Sequence, residues 1–371
     1  MKIAMIGHKR VPSRSGGIEV VVGELSRRMS ARGHQVTIYN RRVHEPRERS
    51  WQGCRIVEVR TFANEKLNAF AYSFFATLRA IAGGYDVLHF HAEGPSCMIF
   101  LAKLFGKRCV STIHGLDWQR AKWGRFASTY LMLGEKQAAT RADQVIVLSR
   151  AAQQYFRETY GRETVLLPNG IDRPERRDPD LIARKHGLGK GDYLLFLARI
   201  TPEKGLHHLL EAYAGLDTDL PLVVAGSLEP ETEYIARIRE LAARDPRVRL
   251  VGFVQGTELE ELYSNCRMYI LPSNVEGMAM SLLEAVSYGA PCLASDIPEN
   301  REAAGECARY FPVSDPAAMG EMLKRALEEE DFWPDPVQRQ EALEHFFQCH
   351  DWEEITERTL ELYRRVSKKM Q

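Results

Sequence analysis

At 371 residues, with 44% hydrophobic and 27% charged side chains, the chain is too long for one typical domain and too apolar for a disordered one. The formal net charge of +0 hides a split: residues 1–170 carry 26 Lys+Arg against 13 Asp+Glu, and residues 171–371 carry 24 against 37. A basic first half attracts phosphate groups or an anionic membrane. It comes without an aromatic-basic RNA motif or a helix-turn-helix pattern, so nucleic acid is not the expected partner.

Met1–Gly7 is too short an apolar run for a signal peptide and predicts a first strand over Lys2–Gly7. The next segment, Gly7-His-Lys-Arg-Val-Pro-Ser-Arg-Ser-Gly-Gly-Ile-Glu19, leads into the helical pattern Val20–Arg32. Gly16 and Gly17 bring a loop to a helix N-terminus, whose free N–H groups suit a phosphate or simply cap the helix. The spacing is not G-x-G-x-x-G, so a nicotinamide cofactor is not expected.

Strands follow at Gln35–Asn40, Cys54–Arg60, Asp86–Ala92, Arg108–His114 and Gln144–Ser149, with helical patterns between several of them. Such alternation implies βαβ units and a mostly parallel, Rossmann-like sheet. The most apolar stretches, Leu67–Gly83 and Pro95–Gly106, are interrupted by Asn68, Arg79 and Lys103, and neither reaches a membrane span. Seven cysteines with no C-x-x-C pair argue against a disulfide framework or structural zinc, and for a reducing compartment.

Strand alternation puts His89 and His91 on one face. A third ligand for zinc is not evident. Glu93, just after them, is a candidate for the acceptor cleft. His114 ends a strand, and Asp117-Trp-Gln-Arg120-Ala-Lys-Trp123 follows with aromatics and alternating charge suited to a sugar or to a packed loop. Asp117 and Arg120 are acceptor-binding candidates.

Pro168–Pro179 is polar and rich in turn dipeptides, and marks a boundary near residue 170. Alternation restarts with strands at Asp192–Ala198, Pro221–Ser227, Val248–Phe253, Met268–Ser273 and Pro291–Asp296. Arg199-Ile-Thr-Pro-Glu-Lys204-Gly205 places two cations five apart at a strand-to-helix turn, where they can clamp a diphosphate. Asp217-Thr-Asp219 has the D-x-D pattern of some metal sites but falls in a turn, and no metal is assigned to it.

Glu276 and Glu284 lie eight apart, with Gly277, Met278, Ala279 and Met280 forming a small-residue turn that opens a helix. The arrangement suits one ligand approached from two sides, since a helix start gathers N–H groups while a carboxylate on the helix takes paired hydroxyls. Asp315–Glu330 and Asp335–Arg365 read as helices, the last long enough to cross back to the first domain. The expected domains are 1–170, 171–345 and a returning helix at 346–371.

The R-x4-K and E-x7-E spacings, with Gly289-Ala-Pro291 and Ser295-Asp296 around the second, resemble the family 4 retaining glycosyltransferases. The stretch Met5–Glu19 resembles members assigned to bacterial surface-polysaccharide rhamnosyl transfer, and that likeness extends over nearly the whole chain. It implies the GT-B fold, two Rossmann-like domains facing a central cleft. It implies further that Arg199 and Lys204 neutralise the leaving diphosphate, Glu276 and His114 attend the donor sugar, and Glu284 takes the ribose. Gly226, Phe253 and Val254 then lie near phosphates and nucleobase. Where common members have a Phe-Gly and a pair of glycines, this chain has Met278-Ala279 and Ile297-Pro-Glu-Asn300, so the sugar loop is shaped differently.

The expected activity is metal-independent transfer of a sugar, rhamnose from dTDP-rhamnose in the first instance, or a UDP-linked sugar. The acceptor is a glycan or lipid-diphosphate-linked glycan, and the place is the cytoplasm or the inner face of an anionic membrane. A sugar-nucleotide epimerase or a non-catalytic assembly subunit would share the fold.

Overall fold

The computed structural model describes residues 1–42, 49–61, 65–116, 118 and 125–368. The chain forms two compact units, Met1–Gly170 with Asp351–Gln371, and Ile171–His350.

In unit 1 the strands are β1 (Lys2–Ile6), β2 (Gln35–Arg41), β3 (Ser50–Trp51), β4 (Cys54–Val59), β5 (Val87–His91), β6 (Cys109–Ile113), β7 (Gln144–Val147) and β8 (Val165–Leu166). Its helices are α1 (Gly17–Ala31), α2 (Glu65–Ala82), α3 (Glu93–Ser96), α4 (Ile99–Leu104), α5 (Arg125–Arg141) and α6 (Arg150–Tyr160). The sheet order is β3-β4-β2-β1-β5-β6-β7-β8, and only β3–β4 is antiparallel. The central strands are buried on both faces, Ile3 to Ile6 fully so, which is why their sequences read as continuous apolar runs.

Unit 2 carries α7 (Leu181–His186), β9 (Leu194–Leu197), α8 (Leu206–Ala214), β10 (Leu222–Ala225), α9 (Glu233–Ala243), β11 (Val248–Gly252), α10 (Thr257–Asn265) and β12 (Met268–Leu271). It continues through α11 (Met280–Ser287), β13 (Cys292–Ser295), α12 (Pro298–Ala304), β14 (Ala308–Phe311), α13 (Pro316–Glu328) and α14 (Pro336–Cys349). Its sheet is parallel, ordered β11-β10-β9-β12-β13-β14.

The long C-terminal helical pattern is two helices, because α14 stops before His350 and α15 (Trp352–Lys368) starts afresh. Asp351 accepts the Glu353 N–H at 2.6 Å and caps the new start. α15 packs on α1 of unit 1, with Arg28 and Arg32 bonded to Glu353 at 3.0 and 2.6 Å. No described helix is long and apolar enough to cross a membrane.

Each sheet reverses its strand order once near the middle, β1/β5 in unit 1 and β9/β12 in unit 2. At such a point adjacent loops leave the carboxyl ends of the strands in opposite directions and open a crevice, where doubly wound sheets bind ligands.

Candidate active site

In unit 2 the apolar strands β9 and β12 carry the loops 198–205 and 272–279 to that reversal. The loops touch: the Asn274 N–H donates to the Glu203 carbonyl at 2.8 Å. Gly205 has φ +67°, and a Cβ there would lie 1.9 Å from the Pro272 carbonyl oxygen, so only glycine allows the approach. The result brings together two residues 72 positions apart in the chain, with Lys204 Nζ bonded to Glu276 Oε1. Both residues are buried, each 8% exposed. Arg199, two residues past β9, is exposed and has no side-chain partner among the described residues.

Glu276 stands on the loop ahead of α11 rather than on its first turn, and the helix starts after Ala279 without a side-chain cap. Gly277, Met278, Ala279 and Met280 are all buried. Glu284 is half-buried on α11 and accepts a hydrogen bond from the Tyr263 hydroxyl at 3.1 Å. Tyr269 of β12 is fully buried, its hydroxyl 3.2 Å from the Leu197 carbonyl and 2.9 Å from Ser281 Oγ. Burial drives its phenol well above the usual value, and Glu276 and Glu284 push the same way.

Other expected residues lie at neighbouring strand ends. Gly226 follows β10, where a Cβ would meet the Ala198 carbonyl at 2.3 Å. Phe253, just past β11, is 52% exposed and offers an aromatic face, while Val254 is buried. Asp217-Thr-Asp219 lies before β10, at the amino end of that strand and so opposite the crevice.

Sequence reasoning passed over Glu299. It lies in the first turn of α12, and its carboxyl is held above the usual value by burial, then by Glu302 and Glu276. Behind it, Ser295 Oγ donates to the Ser273 carbonyl, and Asn300 Nδ2 reaches Ser295 O and Oγ at 3.0 Å each. The Pro298–Asn300 departure from the family pattern was the signal.

Unit 1 gathers its own cluster at the ends of β1, β5 and β6. Gly7 has φ +124°, and a Cβ would fall 2.2 Å from the His91 carbonyl, so the chain passes β5 closely before His8. His8, His89 and His91 are all fully buried or nearly so. His91 Nδ1 lies 3.1 Å from His114 Nε2, and the His89 and His91 rings are 4.1 Å apart. His89 is held at both nitrogens, by Tyr363 of α15 at 2.5 Å and Thr112 at 2.7 Å. Burial lowers the pKa of His8 to about 4 and of His89 to about 3, and takes His91 well below its usual value. These rings are neutral at physiological pH.

Gly16 precedes α1, and the helix has no side-chain cap. The end is not empty, however: the buried Glu19 carboxylate folds back and accepts the Lys9 N–H at 2.9 Å. A phosphate arriving at Gly16–Gly17 would meet a carboxylate, so a hydroxyl ligand suits this turn better.

Glu93 does not fit the expectation of an acceptor-lining residue. It is fully buried in α3 against α5, where Gly134 approaches its carbonyl so closely that a Cβ would lie 1.9 Å away. Asp117 and Arg120 lie outside the described residues. Trp118 between them donates to Glu135 at 2.9 Å, a fully buried carboxylate that also accepts from Tyr155 and Tyr160 at 2.8 and 2.6 Å.

With this geometry in place, comparison with known proteins gives a consistent family. The model of Glycosyltransferase Family 4 matches residues 15–174, and that of Glycosyl transferases group 1 matches residues 178–342. O-antigen chain mannosyltransferase B of Escherichia coli is 26% identical over 49% of this chain and 48% of its own length. Glycogen synthase of Mycobacterium tuberculosis is 26% identical over 98% of this chain and 94% of its own. Among solved structures, sucrose-phosphate synthase of Thermosynechococcus elongatus superposes with a TM-score of 0.85 at 22% identity, covering 98% of each chain. HepE of Anabaena, in complex with UDP-glucose, gives 0.79 at 16% identity, covering 98% of this chain and 100% of that one. The fold is therefore GT-B, and the chain belongs to the family 4 glycosyltransferases.

Proposed function

We propose that the chain is a retaining, metal-independent transferase moving a hexosyl or 6-deoxyhexosyl group from a nucleoside diphosphate to a glycan or lipid-diphosphate-linked glycan. The pathway is surface polysaccharide synthesis at the cytoplasmic face of an anionic membrane. The observation that carries this reading is the meeting of Lys204 and Glu276 at the strand-order reversal of unit 2, with Arg199 open on the same loop.

The chemistry follows from charge. As the bond from sugar C1 to the phosphate oxygen breaks, negative charge grows on the diphosphate, and Arg199 and Lys204 stabilise it. The acceptor hydroxyl forms its bond to C1 on the same face, and its proton passes to the departing phosphate oxygen. Two cations do here what a divalent metal does elsewhere, so chelation with EDTA is expected to leave turnover unchanged. Glu276 holds both the Lys204 ammonium and the sugar hydroxyls, and Glu284 takes the ribose. The uncapped N–H groups after Ala279 face the donor, Phe253 stacks on the base, and His114 bonds the sugar. Gly16 and Gly17 admit an acceptor or sugar hydroxyl.

For the donor, the Met5–Glu19 segment favours dTDP-rhamnose, which would offer Glu284 only a 3′-hydroxyl. A mannosyl nucleotide and UDP-glucose are candidates beside it, a mannosyltransferase being among the relatives and HepE a structure in complex with UDP-glucose. The test is a panel of these nucleotide sugars read by melting temperature. One donor is expected to raise it and to be consumed only when acceptor is present. If none does, the transferase reading fails, and consumption of donor alone to an isomeric sugar nucleotide would indicate an epimerase instead.

A further inference from the structure

Unit 1 carries an apolar surface that the site does not use. Three helices present it: Phe70, Phe75 and Leu78 on α2, Phe100 and Leu104 on α4 with Phe105 just after it, and Met132 and Leu133 on α5. All eight are exposed, Leu104 at 73% and Phe105 at 60%. The helices are neighbours, α4 packing on both α2 and α5, and Phe70 joins α2 to α5 through an edge contact with Tyr130 at 5.9 Å. Isolated exposed apolar residues are ordinary on a protein surface, but a contiguous set marks a surface that is covered in use.

Charge identifies what covers it. Among the described side chains of these helices the only carboxylate is Glu135, and it is fully buried. The exposed charges are basic, Arg79 on α2 and Lys136 and Arg141 on α5, with Lys107 half-buried beyond α4. The surrounding residues 1–170 hold 26 Lys+Arg against 13 Asp+Glu. Aromatic and aliphatic side chains flanked mainly by Lys and Arg match the boundary of an anionic bilayer, where rings and chains enter the acyl edge and cations meet the headgroups. The half-buried Asp143 past α5 is neutralised by Lys103 at 2.8 Å and Arg108 at 3.2 Å. A second copy of this face would set like charge against like.

We propose that the α2–α4–α5 face of unit 1 docks on an anionic lipid surface, inserting Leu104, Phe105, Phe100 and Leu133. The inference deepens the membrane placement proposed above and rests on it. It does not depend on donor chemistry.

The test is flotation of the full chain with vesicles of phosphatidylcholine alone, or with about one-third phosphatidylglycerol, at low and high salt. Binding is expected only to the anionic vesicles, and is expected to weaken as salt rises. The double variant Leu104→Ser/Phe105→Ser removes the most exposed apolar groups and is expected to cut binding about tenfold or more. Lys136→Glu is expected to weaken it further at low salt. Both variants should melt like the parent and keep the nucleotide-sugar shift, because none of these residues belongs to the site. Absence of binding to anionic vesicles at low salt overturns the proposal, as does equal binding by the double variant. So does a parent dimer that the double variant converts to monomer, which would assign the face to a second copy. Failed flotation with an intact donor shift sinks the surface and spares the transferase reading; the reverse result sinks the transferase reading alone.

Discussion

Lys204 and Arg199 are given one chemical task, yet their surroundings differ, and so should their failures. Lys204 lies buried against Glu276, whereas Arg199 is exposed. Lys204→Ala strips a buried carboxylate of its ion-pair partner, which costs about 3–5 kcal/mol when one member of a buried pair is removed. Arg199→Ala touches no packed neighbour and should change stability by less than about 0.5 kcal/mol. Both should lower kcat by orders of magnitude, so a melting curve separates them where an activity assay cannot. Equal melting temperatures for the two variants would mean that the ion pair contributes nothing in solution. Gly205→Ala is more severe. Its φ of +67° and the 1.9 Å approach to the Pro272 carbonyl force the two loops apart, and with them Lys204 from Glu276. A loss of both activity and more than about 2 kcal/mol of stability is expected, measured by urea unfolding.

At the scale of elements, α15 ties the C-terminus to the buried histidine cluster of unit 1. Trp352 is buried over Gly170, where a Cβ would lie 2.3 Å from the indole, and Tyr363 reaches across to His89. Tyr363→Phe leaves a buried imidazole nitrogen without its partner, at a cost of about 1–3 kcal/mol. The urea midpoint should fall accordingly, while donor binding to unit 2 stays unchanged. The helix break that creates α15 was written in the chain, since Asp351 three residues before Glu354 is a start signal inside an otherwise continuous pattern. Eleven longer strands were readable as β-branched, apolar runs. β3 and β8, two residues each, and the mixed Ala-Arg-Tyr-Phe of β14 were not, because so short or polar a segment pairs only when a neighbour is already in place. The same limit applies to the site. Arg199, Lys204, Glu276 and Glu284 announce themselves by spacing, but the Lys204–Glu276 bond, and His91 against His114, depend on which strands lie side by side. His8 joins that cluster because β1 neighbours β5, and local sequence carries no trace of it.

Across the whole molecule, the buried histidines make unit 1 the acid-sensitive half. His8, His89 and His91 are neutral in the folded state because burial holds their pKa values down, to about 4 for His8 and about 3 for His89. In the unfolded chain the same rings titrate near 6.5, so below that pH the unfolded state binds protons that the native state refuses. Their contribution is fully present above pH 6.5 and is lost as pH falls from there toward 4 and 3. At pH 5 His8 and His89 each withdraw on the order of 2 kcal/mol, and His91 acts in the same direction. Unit 2 has a smaller counterpart in the half-buried His207, also lowered to about 4, first by burial and then by His208 and Arg237. Tryptophan fluorescence reports mainly unit 1, which holds Trp51, Trp118, Trp123 and Trp352, with Trp333 in unit 2. Its melting temperature should drop steeply between pH 7 and pH 5. The transition that a bound nucleoside diphosphate raises, assigned to unit 2, should move less. His89→Gln, which keeps hydrogen-bonding groups but cannot titrate, should flatten the fluorescence profile in proportion to one ring. An unchanged slope would place the acid sensitivity elsewhere.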